Sequence, residues 1–392
     1  MNGLDSHQDM NDIPMAANSR PKILLLIPHL GDGGAERVTE LLTRNLSPEK
    51  YELHLGLITQ AQTGVEELPS WVHIHALDAR RVRGGVFRLL CLVRQLKPEL
   101  ILSGMFHLNF LVLLLRPFFP SKIRVMVRQN GTVSSALAFG GLPRYTRLLY
   151  QLLYHRADRV ICQTQAMADD IARELRVEQD RLAVLPNPVD VEEIRSSVGP
   201  KPAPQTVSCT DTSSRLLAMG RFSPEKGFDL LLRAFASIRP EFPEASLLIA
   251  GAGPEESRLK ALCRALGLDS AVRFAEPLDR PWTLFQEATL FVLSSRHEGL
   301  PNALLEAAAG GLPIVALPAS GGIVDLLRAQ PGVWLAPEVS AEAMAASLLT
   351  ALRALRPGDR FAHPFVEAFC IDRAISAYEN LIDRMLIENR NA

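Results

Sequence analysis

The sequence predicts an α/β protein made of two doubly wound domains, each a parallel sheet with helices on both faces. Short apolar runs alternate with stretches of helical periodicity over most of the chain. At 392 residues the chain is too long for one ordinary core, and two domains of roughly 150 to 200 residues are the default. Between two such series lies EEIRSSVGPKPAPQTVSCTDTSS (192–214), rich in Pro and Ser and without periodicity, which marks a linker. The expected division is a disordered tail (1–20), a first domain (21–190), a linker (191–214) and a second domain (215–363). A C-terminal helix (364–392) is expected to return to the first domain.

Hydrophobic residues make up 47%, charged residues 22% and the net charge is −1, which describes a folded, soluble chain. Five cysteines, Cys91, Cys162, Cys209, Cys263 and Cys370, are far apart and mostly set in apolar runs. They read as reduced, buried thiols, and no zinc-site spacing is present. The first twenty residues lack the basic start and apolar stretch of a secretion signal. The longest apolar run, Leu108 to Leu115 and past Arg116 to Phe119, is too short to cross a bilayer. A cytoplasmic location without a transmembrane helix is expected.

In chain order, KILLLIP (22–28) is a buried strand, and HLGDGGAER (29–37) turns into a helix. Gly31, Gly33 and Gly34 allow close backbone approach to a ligand. Glu36 stands where the third glycine of G-x-G-x-x-G belongs, which disfavours a nicotinamide enzyme. Further strands are expected near 52–58, 72–77, 100–103, 123–128, 159–163 and 182–185. His107 follows PELILSG, and Arg128 and Asn130 follow IRVMV, so all three stand at carboxyl ends of strands, where a cleft opens. Packing or surface roles compete for each.

Charge is uneven within this first series. Between Arg80 and Ala157 thirteen Arg and Lys face one acid, Glu99. Inside it, PRYTRLLYQLLYHR (143–156) sets tyrosines among leucines and arginines at helical spacing. Basic, aromatic and apolar residues together suit a helix resting on an anionic membrane. No nucleic-acid-binding motif accompanies the patch, so nucleic acid is not the expected partner. A protein partner or a solvated basic face stays open.

The second series opens with RLLAMGRFSPEKGFDLLLRAF (215–235): a strand, a loop holding Arg221 and Lys226, then a helix. Two cations at the mouth of a β-α loop suit a diphosphate, with two solvated cations as the alternative. ASLLIAGAGPEE repeats the plan with Gly251 and Gly253 in its turn. The most informative stretch runs from Thr289 to Asp325. An apolar strand ends in a loop with Glu298, a helix starts at about Asn302 and carries Glu306, and Gly310 and Gly311 stop it before a second strand. The first-turn N–H groups of Asn302, Ala303 and Leu304 have no intrahelical partner and attract anions. One anion-binding helix end between two hydroxyl-binding carboxylates suits a sugar bearing a phosphate, although two surface glutamates would give the same spacing.

GGAER, GRFSPEKG, AGAGP and SSRHEGLPNALLEAAAGGLPIVA, in this order, resemble the family 4 glycosyltransferases, retaining enzymes of the GT-B fold with two Rossmann-like doubly wound domains facing across a cleft. The resemblance implies that Arg221 and Lys226 hold a donor diphosphate, Glu306 the ribose hydroxyls and Glu298 the transferred sugar. The amides of Asn302, Ala303 and Leu304 would touch phosphate and sugar, Gly33 and Gly34 would abut the donor, Gly251 and Gly253 would lie beside the base, and His107 would face the sugar. It further implies a nucleotide-diphosphate sugar as co-substrate, no metal or other cofactor, and a glycan or lipid-linked acceptor of surface polysaccharide or lipopolysaccharide synthesis. Arg128 and Asn130 would lie on the acceptor side. Such an enzyme would rest on the inner face of the plasma membrane through the basic region Arg80–Arg156. Glu276-Pro277 stands where many relatives have glycine, leaving the base open. An epimerase or hydrolase of the same fold, or a non-catalytic nucleotide-sugar-binding subunit, are the competing functions.

Overall fold

A computed structural model describes residues 20–31, 33–59, 67–79, 82–139, 145–199, 214–278, 280–356 and 358–390. Residues 1–19 of the expected tail, Cys209 and most of the expected linker lie outside these residues. The first sheet contains β1 (Lys22–Ile27), β2 (Glu52–Leu57), β3 (His73–Ala76), β4 (Leu100–Ser103), β5 (Arg124–Arg128), β6 (Arg159–Cys162) and β7 (Leu182–Val184) in the order β3-β2-β1-β4-β5-β6-β7. Its helices are α1 (Gly34–Asn45), α2 (Val86–Leu96), α3 (Phe106–Leu115), α4 (Val133–Phe139), α5 (Tyr145–Tyr154) and α6 (Gln165–Leu175). All strand pairs are parallel. β1 and β4 are almost wholly apolar, and β5 is apolar between its terminal arginines, because helices cover both faces of the sheet.

The second sheet contains β8 (Arg215–Met219), β9 (Ser246–Ala250), β10 (Val272–Ala275), β11 (Leu290–Leu293), β12 (Ile314–Ala316) and β13 (Val333–Leu335) in the order β10-β9-β8-β11-β12-β13. Around it lie α7 (Val191–Val198), α8 (Phe228–Ile238), α9 (Glu256–Ala265), α10 (Asn302–Ala309), α11 (Ile323–Leu327) and α12 (Ala341–Ala354). α7 occupies part of the stretch expected to be linker. Its Val191 and Ile194 are buried with Trp282, Phe285 and Leu304, and Asp190 caps its start by accepting from the Glu193 amide at 2.9 Å. Composition hid this helix because two buried side chains and one cap suffice to hold so short an element against a neighbouring core.

α13 (Ile371–Arg390) packs on the first domain. Tyr378, Leu381, Ile382 and Met385 enter one core cluster with Leu25, Leu55 and Met126. Lys50 pairs with Glu379 at 2.6 Å, and Tyr51 donates to Asp383. The chain thus crosses between the sheets twice, near 187–190 and again near 370, where Val189 and Cys370 form a parallel bridge.

Strand order reverses between β1 and β4 in one sheet and between β8 and β11 in the other. Crevices open at the carboxyl ends of strands flanking such reversals. The loops and first helical turns after β1, β4, β8 and β11 carry Gly33 and Gly34, His107, Arg221 and Lys226, and Glu298. One close contact holds the second domain's loops together: a Cβ on Gly251 would lie 1.9 Å from the Gly220 carbonyl oxygen, and one on Gly253 2.5 Å from that of Phe222. These glycines serve backbone packing between the turn after β9 and the loop that bears Arg221. Gly251→Ala is expected to destabilise the protein by about 2 kcal/mol or more, because backbone must move to admit the methyl group. A chemical denaturation midpoint unchanged from the parent's would contradict this.

Within the first domain α5 corrects one expectation. Tyr150 and Tyr154 point inward, Tyr150 packed against Phe106, Phe110 and Tyr154, and the Tyr154 hydroxyl donates to Gln129 Oε1 at 2.7 Å. It is Leu148, Leu149 and Leu152 that are exposed. Helical spacing alone does not say which stripe faces the sheet, and here the larger aromatic stripe does. Cys162 and Cys263 are buried, whereas Cys91 and Cys370 are partly exposed; all four are free thiols.

Candidate active site

The site is built on the start of α10. Pro301 precedes Asn302 and has no N–H to leave unsatisfied. The Leu304 amide turns back to the Pro301 carbonyl at 3.1 Å, so the amides of Asn302 and Ala303 remain as the first-turn donors of this end. Lys226 reaches across from the loop after β8, and its Nζ meets Glu298 Oε1 at 2.6 Å. Ser295 Oγ donates to the same carboxylate oxygen at 2.6 Å. Glu298 is only 9% exposed, so this pair fixes both side chains at the helix start.

Two further contacts clamp the loops that carry the pair. Arg296 forks onto Asp229 at the start of α8, with both N–O distances 2.7 Å, and also donates to the Pro224 carbonyl at 2.9 Å. Ser294 Oγ donates to the Lys226 carbonyl at 2.8 Å. Gly227 (φ +64°) takes the left-handed turn between Lys226 and α8, and a Cβ there would lie 2.1 Å from the Ser294 carbonyl oxygen. A planar guanidinium on a carboxylate sets distance and orientation together. The Lys226 loop and the Glu298 loop therefore move as one body.

Arg221 is exposed, and among the described residues no acid pairs with its side chain. It is free to meet an incoming anion. Glu306 sits one turn inside α10 and is partly buried. Burial pushes its carboxyl up to about 7, and the positive charge of Arg37 offsets part of that rise. Arg37 itself lies over the Trp282 ring, 5.1 Å from its centre, and reaches the second domain from α1.

The two domains touch at this place. Asn302 Nδ2 donates to the Gly34 carbonyl at 2.9 Å, so the glycine loop after β1 abuts the α10 start. Thr164 Oγ1 donates to the Gly321 carbonyl at 2.7 Å. A Cβ on Gly299 would lie 2.8 Å from the Asn130 carbonyl oxygen, which shows how closely the Glu298 loop approaches the first domain. His107 is exposed in the first turn of α3 and makes an edge contact with Phe106. Asn130 donates to the Gly104 carbonyl and accepts from Arg128. Arg128 is only 4% exposed, and its guanidinium is held by Asn130 and Asn187.

The structure therefore brings Lys226, Glu298, Asn302, Gly34 and Asn130 to one junction, with Glu306 one turn along α10. It encloses Arg128 and packs Gly251 and Gly253 against the Arg221 loop. Residues that sequence reading passed over are Arg37, Asn187, Ser295 and the Asp229–Arg296 clamp. GGAER contained Arg37 and SSRHEG contained Ser295 and Arg296, but neither motif says which of its polar residues faces inward.

Two parallel α/β domains with a polar junction at the carboxyl ends of both sheets define a GT-B protein. A family model described as Glycosyltransferase Family 4 matches residues 32–193, and one described as Glycosyl transferases group 1 matches residues 207–356. The chain belongs to the family 4 glycosyltransferases. It is 26% identical over 248 residues to an uncharacterized glycosyltransferase of Methanocaldococcus jannaschii, a match spanning 62% of this chain and 61% of that protein. It is also 26% identical over 321 residues to the Campylobacter jejuni N-acetylgalactosamine-N,N'-diacetylbacillosaminyl-diphospho-undecaprenol 4-alpha-N-acetylgalactosaminyltransferase, spanning 78% of this chain and 83% of that one. Among solved structures, Anabaena HepE in complex with UDP superimposes with a TM-score of 0.72 at 17% identity, covering 93% of this chain and all of the other.

Proposed function

We propose that this protein is a retaining glycosyltransferase that moves a hexose or N-acetylhexosamine from a nucleotide-diphosphate sugar to a glycan or lipid-linked acceptor in surface polysaccharide or lipopolysaccharide synthesis. The observation that carries the reading is the Lys226–Glu298 pair at the start of α10, with the exposed Arg221, which pairs with no acid among the described residues, on the Lys226 loop. The C1–phosphate bond breaks and the bond from C1 to the acceptor oxygen forms on the same face. The acceptor's proton passes to the leaving phosphate oxygen. Arg221, Lys226 and the amides of Asn302 and Ala303 supply positive potential where the diphosphate gains charge, and such preorganised groups are commonly the largest catalytic contribution. These cations do the work a metal would do elsewhere. Glu298 holds the transferred sugar, Glu306 the ribose hydroxyls, and His107 faces the sugar from the first domain. The UDP in the HepE complex and the diphospho-undecaprenol in the Campylobacter enzyme's name support a nucleotide-sugar donor and a lipid-linked acceptor.

Thermal unfolding with a panel of nucleoside diphosphates and their sugars, with a chelator present, tests the donor site. A ligand at about 100 times its dissociation constant adds about 2.7 kcal/mol to the folded state. One nucleotide sugar is expected to raise the melting temperature. No shift with any member of the panel would overturn the assignment. The product's anomeric configuration, read by proton NMR, tests retention.

The same reading places the enzyme on the cytoplasmic face of the plasma membrane. Supporting it is a set of exposed apolar side chains on neighbouring elements of the first domain: Phe87 on α2, Leu114 on α3, Phe118 just after it, and Leu148, Leu149 and Leu152 on α5. Exposed Arg94, Lys97 and Lys122 belong to the same region. Its effective charge is lower than the sequence count, since Arg116 and Arg124 pair with Asp158 and Arg147 pairs with Glu174. Arg80, Arg81, the side chain of Arg83 and Arg144 lie outside the described residues. Among those described, no helix is long and apolar enough to cross a membrane. The protein is expected to sediment with vesicles containing anionic lipid, and Phe118→Asp with Leu148→Asp is expected to abolish this while turnover of a water-soluble acceptor persists. Equal sedimentation of parent and variant would contradict the docking face.

A further inference from the structure

Arg128 presents an unusual balance. Its guanidinium is almost fully buried, no carboxylate pairs with it among the described residues, and its Nε has no hydrogen-bond partner. It donates instead to two amide oxygens, Asn130 Oδ1 and Asn187 Oδ1. A buried charge is costly unless its surroundings answer it, and here the answer is a chain of oriented amides, with the buried Tyr378 side chain of α13 also beside the guanidinium.

That chain crosses from one domain to the other. A guanidinium has only donors, so Asn187 must turn its oxygen toward Arg128 and its nitrogen away. Asn187 Nδ2 then donates to Asn302 Oδ1 at 2.7 Å and to the Leu300 carbonyl at 3.2 Å. With its oxygen taken, Asn302 must point its own nitrogen outward, and Nδ2 meets the Gly34 carbonyl at 2.9 Å. Each link leaves the next only one orientation. The Asn109 amide adds a further tie by donating to the Arg128 carbonyl at 2.9 Å.

We propose that Arg128, Asn187 and Asn302 form a polarised clasp that registers the glycine loop after β1 against the start of α10, and so assembles the two halves of the donor site. Arg128 and Asn187 are positioning residues, acting through Asn302 and Gly34. The inference deepens the glycosyltransferase reading and rests on it for its kinetic consequence, but the clasp itself is a property of the unliganded protein. The charge reinforces a direction that the Leu300 carbonyl also favours: with a neutral, non-donating residue at 128, Asn187 Oδ1 loses its donor, the amide is held less firmly, and the Asn302–Gly34 contact loosens with it.

Small-angle scattering of the ligand-free full chain tests the clasp without reference to any substrate. Asn187→Ala and Asn302→Ala are each expected to increase the radius of gyration as the domains lose register, and Arg128→Met to do the same, with Arg128→Lys restoring most of the parent value. Asn302 is only partly buried and alanine is a good helix former, so this variant decides the matter if the other two fail to fold. An unchanged radius of gyration in folded Asn302→Ala overturns the proposal. In kinetics, Asn187→Ala is expected to lower kcat about a hundredfold, the scale of an ångström-sized misplacement, while affinity for a nucleoside diphosphate stays within about threefold of the parent's. Loss of that affinity in step with kcat would mean that Asn187 supports the second domain's fold and not its register. If scattering changes while no nucleoside diphosphate binds even the parent, the donor reading fails and the clasp stands.

Discussion

Arg221→Ala is expected to lower kcat by about two to three orders of magnitude, the usual effect of removing one preorganised donor to developing negative charge. Its melting temperature should match the parent's, because the side chain is exposed and pairs with no acid among the described residues. Lys226→Ala behaves differently. It removes the same kind of catalytic stabilisation, but it also leaves Glu298, 9% exposed, without its cation. An unanswered, mostly buried carboxylate costs about 1 to 3 kcal/mol, so this variant should lose stability as well as turnover. The double variant should lose both donor-induced thermal stabilisation and activity. Steady-state kinetics beside thermal unfolding separates the cases, and undiminished turnover by Arg221→Ala would remove Arg221 from the diphosphate site.

Glu306 should make both stability and donor affinity depend on pH around neutrality. Burial raises its carboxyl from an ordinary 4.5 to about 7 in the folded protein, against the opposing charge of Arg37. A raised carboxyl favours the folded state fully below pH 4.5, and that contribution is lost as pH rises through about 7. The lost amount is about 3 kcal/mol at 1.36 kcal/mol per unit, less whatever solvent reaches the partly buried group. Glu306→Gln cannot ionise, so it should melt higher than the parent at pH 8 and lose this component of the pH dependence. Ligand affinity should move the other way. Ribose hydroxyls donate to a carboxylate more strongly than to a neutral acid or amide, so nucleoside diphosphate binding to the parent should tighten between pH 6 and pH 8, and Glu306→Gln should not follow. Calorimetry at the two pH values, with unfolding curves at both, checks the pair; identical pH profiles for parent and variant would show that Glu306 does not titrate there.

Much of the architecture was legible because it rests on local pattern. KILLLI and LFVL read as buried strands because helices cover both faces of a parallel sheet, and of the two glycines after α10 it is Gly311 (φ +71°) that takes the left-handed turn ending the helix. Helix α7 was not legible, since Val191 and Ile194 make only a short apolar stripe and the cap at Asp190 is one residue. The inward turn of Tyr150 and Tyr154 was hidden for a related reason: amphipathic spacing gives two faces and leaves the neighbouring elements to choose between them. At the site, Arg221, Lys226, Glu298 and Glu306 stood out through their motifs. Asn187 did not, because an asparagine between two prolines reads as an ordinary turn.

By itself the sequence determined the α/β class, the doubly wound plan of two domains and the positions of the loops that carry charge, since each depends on residues within one or two turns of one another. Only the tertiary structure decided the states of those charges. Lys226 is neutralised by Glu298, Arg221 is left open, Glu306 is buried enough to hold its proton near neutrality, and Arg128 is enclosed and answered by amides. Charge state and hydrogen-bond direction depend on which groups from distant segments share a small desolvated volume, and that proximity is created by packing within each domain, as for Lys226 and Glu298, and between the domains, as for Glu306 and Arg37.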